Sequence, residues 1–149
     1  MTGTGNLDPG NTQPYTVDDI NARLPGSLTG HLGISITAIR DAEMDARMAI
    51  HAHHLAPNGY LHAASVVALA DSTCGLATFV NLPEGASGFT TIELKTNHLG
   101  TATDGTLMCT AKAPHRGRST HVWETVVLHH ETGRRIALFR CTQMILWPK

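Results

Sequence analysis

One long apolar segment constrains the fold of this chain more than any other feature. From His62 to about Val80 the residues are mostly alanine, valine and leucine, and no polar stripe interrupts them. The segment is too long for a strand, and a helix that is apolar on all sides is a buried helix. We therefore predict one long central helix that the rest of the chain must cover.

The segments on either side of this helix alternate between apolar and polar residues, the pattern of half-buried strands. Before the helix, two such segments flank the Asp41-Ala42 turn and predict a hairpin. Three or four further segments follow it. Runs of strands around one helix are typical of an α+β domain in which an antiparallel sheet packs on the helix. The predicted strands span 32–38, 44–52, 89–99, 106–113, 120–129 and 134–147.

The first residues differ in composition from the rest. Residues 1–14 are mostly glycine, threonine, asparagine and proline, which bury little surface, so we expect a disordered tail. Thr16 and Asp19 resemble a capping box at the start of a short helix over 17–24, which Pro25-Gly26 would end. Residues 15–149 are then expected to form a single domain.

Composition excludes several classes of protein. Apolar residues make up 42% of the chain and charged residues 15%, which does not fit a disordered protein. A net charge of −1 disfavours a nucleic-acid partner. No apolar run approaches the ~20 residues of a membrane span and no secretory signal is recognisable, so we expect a cytoplasmic protein without a membrane partner. Three widely spaced cysteines without a CxxC pair suggest small core residues rather than disulfides or a zinc site.

Asp71 is the residue of the central helix that needs an explanation, since it is the only charged residue from Ala63 through Pro83. A buried, ionised carboxylate is costly unless it is paired or solvated, so Asp71 must be hydrogen-bonded, protonated or exposed in a cleft. Partial burial would raise its pKa towards the range of a general base, or leave a poorly solvated nucleophile. The alternative is a structural aspartate bonded to an arginine or a backbone amide.

The start of the predicted helix is a second candidate. The small side chains of Ala63 and Ala64 leave the amides of the first turn open to a ligand, and the helix dipole adds partial positive charge there. Such a terminus suits an oxyanion, although close helix packing would explain two alanines equally well.

These two features lie too far apart to act on one substrate within one chain. Ala63 and Asp71 are separated by about 12 Å along a helix, whereas a base and an oxyanion donor must both lie ~3 Å from the reacting atoms. In a two-fold dimer with antiparallel long helices, Asp71 would approach the start of the partner's helix. If both features are catalytic, the sequence therefore predicts two identical composite sites.

A spaced motif joins these residues. It consists of a glycine, two residues, a histidine with two small residues, and an acidic residue nine positions after the histidine, here Gly59, His62-Ala63-Ala64 and Leu69-Ala70-Asp71. By this motif the chain resembles the hotdog-fold acyl-CoA thioesterases, in the branch of the phenylacetate-pathway, 4-hydroxybenzoyl-CoA and enterobactin-proofreading enzymes. The resemblance covers most of the chain after the tail. Supporting matches are His31-Leu32-Gly33-Ile34, 92–98, 115–118, Trp123-Glu124 and Gly133-Arg134-Arg135.

The resemblance implies an antiparallel sheet wrapped around the helix, homodimers paired into homotetramers, and hydrolysis of an acyl-CoA or acyl-pantetheine thioester without cofactor or metal. Asp71 would be the nucleophile or the base that activates water, and the Ala63 amide of the other subunit would polarise the carbonyl. His62 would support the loop before the helix. Thr91 falls near the position at which some family members have a hydroxyl that orients water. The residues expected to bind substrate or CoA are Asn58, Gly59, Ala64, Arg116, Arg118, Ser119 and Thr120.

The two arginines in this set have a simpler alternative. Guanidinium groups suit the phosphates of CoA, but exposed arginines in a turn are often only solvated.

Two departures from the family pattern stand out. The usual His-Gly-Gly is His-Ala-Ala here, and the polar amide that often lies six residues before the histidine is Ala56. Loss of one oxyanion donor costs ~10²–10³ in rate, so either Asn58 or His54 replaces it or the protein is a slow or differently specialised member.

Two other interpretations of the sequence are a metal site, which the spacing argues against, and a binding module. His51, His53, His54 and His62 suggest a metal site, but no HExxH motif or cysteine completes one. A non-hydrolytic acyl-thioester binding or sensing module on the same fold is the main alternative to an enzyme. Ala56 favours it, and so do the two alanines that replace the glycines of His-Gly-Gly.

Overall fold

The computed structural model describes residues 14–149. The predicted tail therefore lies outside the described residues, apart from Pro14. The elements follow one another as α1 Val17–Asn21, α2 Leu28–His31, β1 Ser35–Arg40, β2 Glu43–Ala49, a 3-10 turn Ala52–His54, α3 Ala63–Val80, β3 Gly88–His98, β4 Thr106–Arg116, β5 Thr120–His129 and β6 Arg135–Leu146.

The six strands form one antiparallel sheet in the order β1-β2-β4-β5-β6-β3. Helix α3 lies against one face of the sheet and contacts strands β2 to β6. This arrangement confirms the predicted α+β hotdog fold, a sheet wrapped around one long helix. Since β3 pairs only with β6 within residues 14–149, its outer edge is unpaired by any other described strand.

One side of α3 builds the core. Its buried residues pack against the fully buried Trp123, Met44 and Met48 of the sheet. Two threonines on this side satisfy their hydroxyls within the helix, as Thr73 donates to the Leu69 carbonyl at 2.7 Å. The opposite side is a stripe of half-exposed residues, Val67, Ala68, Asp71, Ser72, Gly75 and Leu76.

Among the described residues, α3 is long and apolar enough to cross a membrane by length and composition alone, with a mean hydropathy of 1.5 over 18 residues. This differs from the expectation that no run approaches such a length. Half of the helix is buried inside the fold, which is the behaviour of a core helix.

The region before the sheet differs in part from the prediction. The capping box of α1 is confirmed, since the Thr16 hydroxyl accepts from the Asp19 amide at 3.1 Å and Asp19 accepts from the Thr16 amide at 2.9 Å. The helix, however, ends at Asn21 and not at residue 24. Helix α2, which Ser27 caps, was missed because a four-residue helix leaves no period to read.

The three cysteines are buried and free, as predicted. Cys74 lies on the buried side of α3, and Cys109 and Cys141 lie in strands β4 and β6, which pack on it. Burial raises the pKa of the Cys109 thiol to about 12, so the thiolate form that reacts is suppressed at neutral pH.

Candidate active site

Asp71 lies in the middle of the half-exposed stripe of α3. Its Oδ1 is buried without a hydrogen-bond partner, and no ion pair with the carboxylate is found within residues 14–149. Burial raises the pKa of this carboxyl above its ordinary value, because desolvation disfavours the charged form. The described residues therefore do not show the structural alternative, in which an arginine or a backbone amide is bonded to the carboxylate. Asp71 is instead a half-buried carboxylate whose Oδ1 has no partner among these residues.

The residues around Asp71 are small or apolar. Val67 and Ala68 precede it by one helical turn, and Gly75 and Leu76 follow it by one turn. A side-chain carbon at Gly75 would lie 3.7 Å from the Phe89 ring of β3. The carboxylate therefore faces a largely apolar surface on the uncovered side of the helix.

The first turn of α3 begins at an open amide, that of Ala63. His62 is the N-cap, and its Nδ1 accepts a hydrogen bond from the Ala64 amide at 2.9 Å. The Ser65 amide donates to the His62 carbonyl at 3.0 Å. The Ala63 amide makes no hydrogen bond among the described residues, and Ala63 is exposed. The expectation that the amides of both alanines are open thus needs correction, because the His62 side chain already uses that of Ala64.

The structure does not bring Ala63 and Asp71 together within one chain. Both lie on α3, on which eight residues correspond to about 12 Å. A site that uses both groups needs a second chain, as the sequence argument concluded.

Thr91 lies on β3 at a β-bulge, where the pairing with β6 shifts between Thr91 and Glu93. Its hydroxyl donates to Oε1 of the buried Gln143 at 2.8 Å. Because the hydroxyl proton is engaged, Thr91 can only accept from a further partner, which is the role that orients a water hydrogen.

The predicted CoA-binding arginines lie at the far end of α3 from His62. Arg116 is already engaged, by the Asp41 carboxylate at 2.9 Å and by the side-chain oxygen of Asn81 at 2.7 Å. Arg118 stacks over the Trp147 ring, 4.6 Å from its centroid, and the indole N–H donates to the Arg118 carbonyl at 3.1 Å. Ser119 and Thr120 continue this turn into β5. Among the described residues, Arg118 is therefore the one of the two arginines whose charge is not paired with a carboxylate.

The loop before α3 is closed by its own backbone. Gly59 has a φ of 83° and donates its amide to the Ala56 carbonyl at 2.9 Å. The Asn58 side-chain oxygen accepts from the Tyr60 amide at 3.2 Å, so its NH₂ group remains able to donate outward.

His54 cannot replace the missing side-chain donor at Ala56. Its ring is fully buried, with Nδ1 bonded to the His51 amide and Nε2 to the Leu32 carbonyl, both at 2.9 Å. The sequence does not reveal that the His54 ring is buried and bonded, since nothing in the local pattern separates His54 from the exposed His53 beside it.

The histidine cluster is not a metal site in this structure. The rings of His31, His51, His53 and His54 lie within 6 Å of their neighbours by centroid, from 4.0 to 5.9 Å. Within the described part of the chain, no group of three or more histidine, cysteine or acidic side chains could hold a metal ion.

Known proteins share this sequence and fold. The model of the Thioesterase superfamily matches residues 58–137. The chain is 28% identical over 134 residues to a putative esterase of Pseudomonas aeruginosa, covering 90% of this chain and 92% of that protein. It is 28% identical over 131 residues to the proofreading thioesterase EntH of Cronobacter turicensis, covering 88% of this chain and 94% of that protein.

Solved structures agree with this relationship. A mutant thioesterase from Pseudomonas aeruginosa is similar with a TM-score of 0.85 and 28% identity, covering 91% of this chain and 96% of that chain. A thioesterase from Haemophilus influenzae gives a TM-score of 0.84 with 27% identity, covering 90% and 92%. The family match spans more than half of the chain and includes both His62 and Asp71. The chain therefore belongs to the thioesterase superfamily, and its chemistry is the hydrolysis of thioesters.

Proposed function

We propose that this protein hydrolyses acyl-CoA thioesters at two composite sites of a homodimer. The observation that carries the proposal is the carboxylate of Asp71, half-buried on the uncovered side of α3 with an oxygen that has no partner among the described residues. Such a group does not stabilise the fold, because a buried oxygen without a hydrogen bond lowers the free energy of unfolding.

Asp71 acts as the base or the nucleophile. As a base it removes a proton from water while the oxygen of that water attacks the acyl carbon. The C–S bond then breaks, and the protonated Asp71 returns the proton to the departing sulfur, which releases the carboxylic acid and the thiol. As a nucleophile it attacks the acyl carbon itself, and the C–S bond breaks to expel the thiolate and leave an anhydride. Water then hydrolyses the anhydride to the free acid and the Asp71 carboxylate, and a proton released in this step converts the thiolate to the thiol. In both routes the Ala63 amide of the other subunit donates to the oxyanion, where developing charge is strongest.

The site has one side-chain donor fewer than the family pattern. Because Ala56 offers no amide and both ring nitrogens of His54 are occupied, Asn58 is the remaining candidate for a second donor to the carbonyl. We therefore expect Asn58→Ala to lower kcat by about tenfold, towards the cost of a lost oxyanion donor.

CoA would lie along the β4–β5 turn. Arg118 supplies the charge that a phosphate needs, while Arg116 would have to leave Asp41 to contribute. Ser119, Thr120, Gly59 and Ala64 line the proposed path of pantetheine and nucleotide.

The uncovered surfaces support the proposed assembly. The free edge of β3 carries Leu94, which is 45% exposed although its cross-strand partner Cys141 is fully buried on the helix side of the sheet. A second chain placed there would cover both Leu94 and the Asp71 stripe. On the other face of the sheet, Val126 and Leu138 are paired across strands and exposed, which suits the contact between two dimers in a homotetramer.

The first experiment measures the release of free thiol from a panel of acyl-CoAs. The wild-type protein is expected to turn over at least one of them, and Asp71→Asn to lose about 10³-fold or more in kcat. Asp18→Asn, which neutralises an exposed carboxylate of α1, is the matched control and is expected to retain activity. Saturable binding of an acyl-CoA without turnover by the wild-type protein would instead support the binding module.

The second experiment tests whether each site is shared. Ala63→Pro removes the open amide at the first helical position, where proline is well tolerated, and the residue before it is extended as proline requires. Asp71→Asn and Ala63→Pro are each expected to be inactive. Their unfolded mixture, refolded together, should recover about a quarter of wild-type activity, since half of the dimers are mixed and each holds one intact site. A mixture as inactive as its parts would contradict the shared site.

A further inference from the structure

His54 joins three segments of the chain at the entrance to α3. Its ring Nε2 lies 2.9 Å from the Leu32 carbonyl of the α2–β1 turn, and its Nδ1 lies 2.9 Å from the His51 amide. Its own carbonyl accepts from the His62 amide and from the Ser65 hydroxyl, both at 2.9 Å. Since His62 caps α3 and Ser65 lies in its first turn, His54 ties the start of the helix to the α2–β1 turn.

These hydrogen bonds fix the form of the ring. A backbone N–H can only donate, so the Nδ1 that faces the His51 amide must be unprotonated, and Nε2 must carry the proton that is donated to Leu32. Protonation of Nδ1 would place two donors against each other and break the link to His51.

The surroundings of the ring favour the neutral form. Burial, and then the charges that its histidine neighbours can carry, hold the pKa of His54 below its ordinary value of 6.5. The titratable groups that face it are His53 and His51 of the same loop and His31 of α2, and His53 is the nearest, at 4.0 Å between ring centroids. All of them can only add positive charge as the pH falls, which opposes a charge on His54.

We propose that His54, as the neutral Nε2–H tautomer, is the positioning residue that holds the Ala63 amide in place for the oxyanion. The inference rests on the proposed function. The amide of Ala63 belongs to the same peptide plane as the carbonyl of His62, and the amide of His62 is bonded directly to the His54 carbonyl. A shift of His54 is thus transmitted to the oxyanion donor through one residue. His54 itself is buried and does not touch the substrate.

Kinetics on three variants test this role. His54→Phe keeps a ring but loses both ring hydrogen bonds, and we expect kcat to fall by about 100-fold with little change in KM, the signature of a displaced catalytic group. His54→Asn places an acceptor near the position of Nδ1 and should recover about tenfold of that loss. His53→Asn, which changes the exposed neighbour, is the control and should retain wild-type kcat. Unchanged kcat in both folded His54 variants, or a loss confined to KM, would overturn the proposal.

A measurement without turnover covers the case in which His54→Phe fails to fold. Nitrogen-15 NMR spectra of the wild-type rings should show His54 as the Nε2–H tautomer, with a midpoint below 6.5. The chemical shift of the Ala63 backbone amide should change with pH at the same midpoint. This pH dependence should remain in His53→Asn and disappear in His54→Asn. The proposal would be contradicted by an Ala63 amide shift that does not change as His54 titrates, or by an Nδ1–H tautomer of His54.

The two proposals fail separately. If no acyl-CoA releases thiol while the Ala63 amide still follows His54, the proposed function is wrong and the coupling of ring and helix start is not. If the enzyme is active and the two titrations are independent, only the positioning role is wrong.

Discussion

At the scale of single residues, the proposed site depends on groups left without an internal partner. The Asp71 carboxylate and the Ala63 amide both lack one among the described residues, whereas other polar groups near them are satisfied. Ser72, next to Asp71, pairs its hydroxyl with that of Thr29 at 3.2 Å. Ala64, next to Ala63, donates to His62. The two unpartnered groups have opposite character, an acceptor and a donor, which is the combination that hydrolysis of a thioester needs.

The raised pKa of Asp71 gives the pH dependence of activity a direction. In the proposed mechanism the ionised carboxylate is the reactive form, and its folded-state pKa lies above the ordinary value of 3.8. Activity should therefore fall with decreasing pH and have its acid midpoint above 3.8 in a plot of kcat/KM, which reports the free enzyme. In His54→Asn the acid limb should report Asp71 alone and become less steep. A midpoint at or below 3.8 would show that burial of this carboxyl has no effect on catalysis.

The same shift has a consequence for stability. Since the folded state binds the Asp71 proton more tightly than the unfolded state, ionisation lowers the free energy of unfolding as the pH rises through the folded-state pKa. Asp71→Asn should thus be more stable than wild type at neutral pH, by about 1 kcal/mol. Thermal unfolding measured near neutral pH and again below 3.8, where both chains are uncharged at this position, should show the difference shrinking. A variant less stable than wild type at neutral pH would contradict this.

At the scale of elements, the long periodic segments were predictable and the short ones were not. The apolar run predicted α3 to within a residue, because a buried helix leaves a continuous apolar segment, and the alternation of apolar and polar residues predicted all six strands. Helix α2 and the 3-10 turn are held by tertiary contacts. The bond from His54 to Leu32 joins residues 22 positions apart, and no local pattern encodes such a contact. The candidate Asp71 came from the sequence, whereas the closure of the Ala64 amide and the role of His54 required coordinates.

The turn before β4 offers a stability prediction at this scale. Gly105 has a φ of 85°, and a side-chain carbon there would lie 2.4 Å from Nε2 of His129, whose buried ring is fixed by bonds to Asp104 and Thr132. Gly105→Ala should lower the free energy of unfolding by about 3 kcal/mol, from strain and overlap together.

Gly26→Ala separates the two causes of that loss. Gly26 has nearly the same φ, 83°, with nothing within 4 Å of the added carbon. We expect it to lose only about 1 kcal/mol, the cost of the left-handed backbone alone. Equal losses in urea denaturation of the two variants would show that the contact with His129 relaxes freely.

At the scale of the whole molecule, the sheet has one covered face and one bare face, and each suggests a different contact between chains. Helix α3 covers the concave face only in part, and leaves Leu94 exposed near the free edge of β3. The bare face carries the exposed apolar side chains Val126, Leu138, Met144 and Leu146. The first surface would form the proposed dimer and the second the proposed tetramer.

Two substitutions distinguish these surfaces. Leu94→Asp should separate the dimer and abolish thiol release, because a charge at the centre of an interface is strongly unfavourable. Val126→Lys should stop assembly at the dimer and retain most of the activity. Analytical ultracentrifugation of both variants gives the assembly state directly. An active monomer of Leu94→Asp would contradict a site made from two chains.

The spacing of Ala63 and Asp71 on one rigid rod also links reaction rate to protein abundance. If no single chain can place both groups at one carbonyl, a newly made polypeptide is inactive until it binds a second copy of itself. Specific activity should then collapse on serial dilution through the dissociation constant of the pair and return on reconcentration. Such an enzyme is inactive at very low copy number, because too few chains are paired, and it then leaves acyl thioesters unhydrolysed.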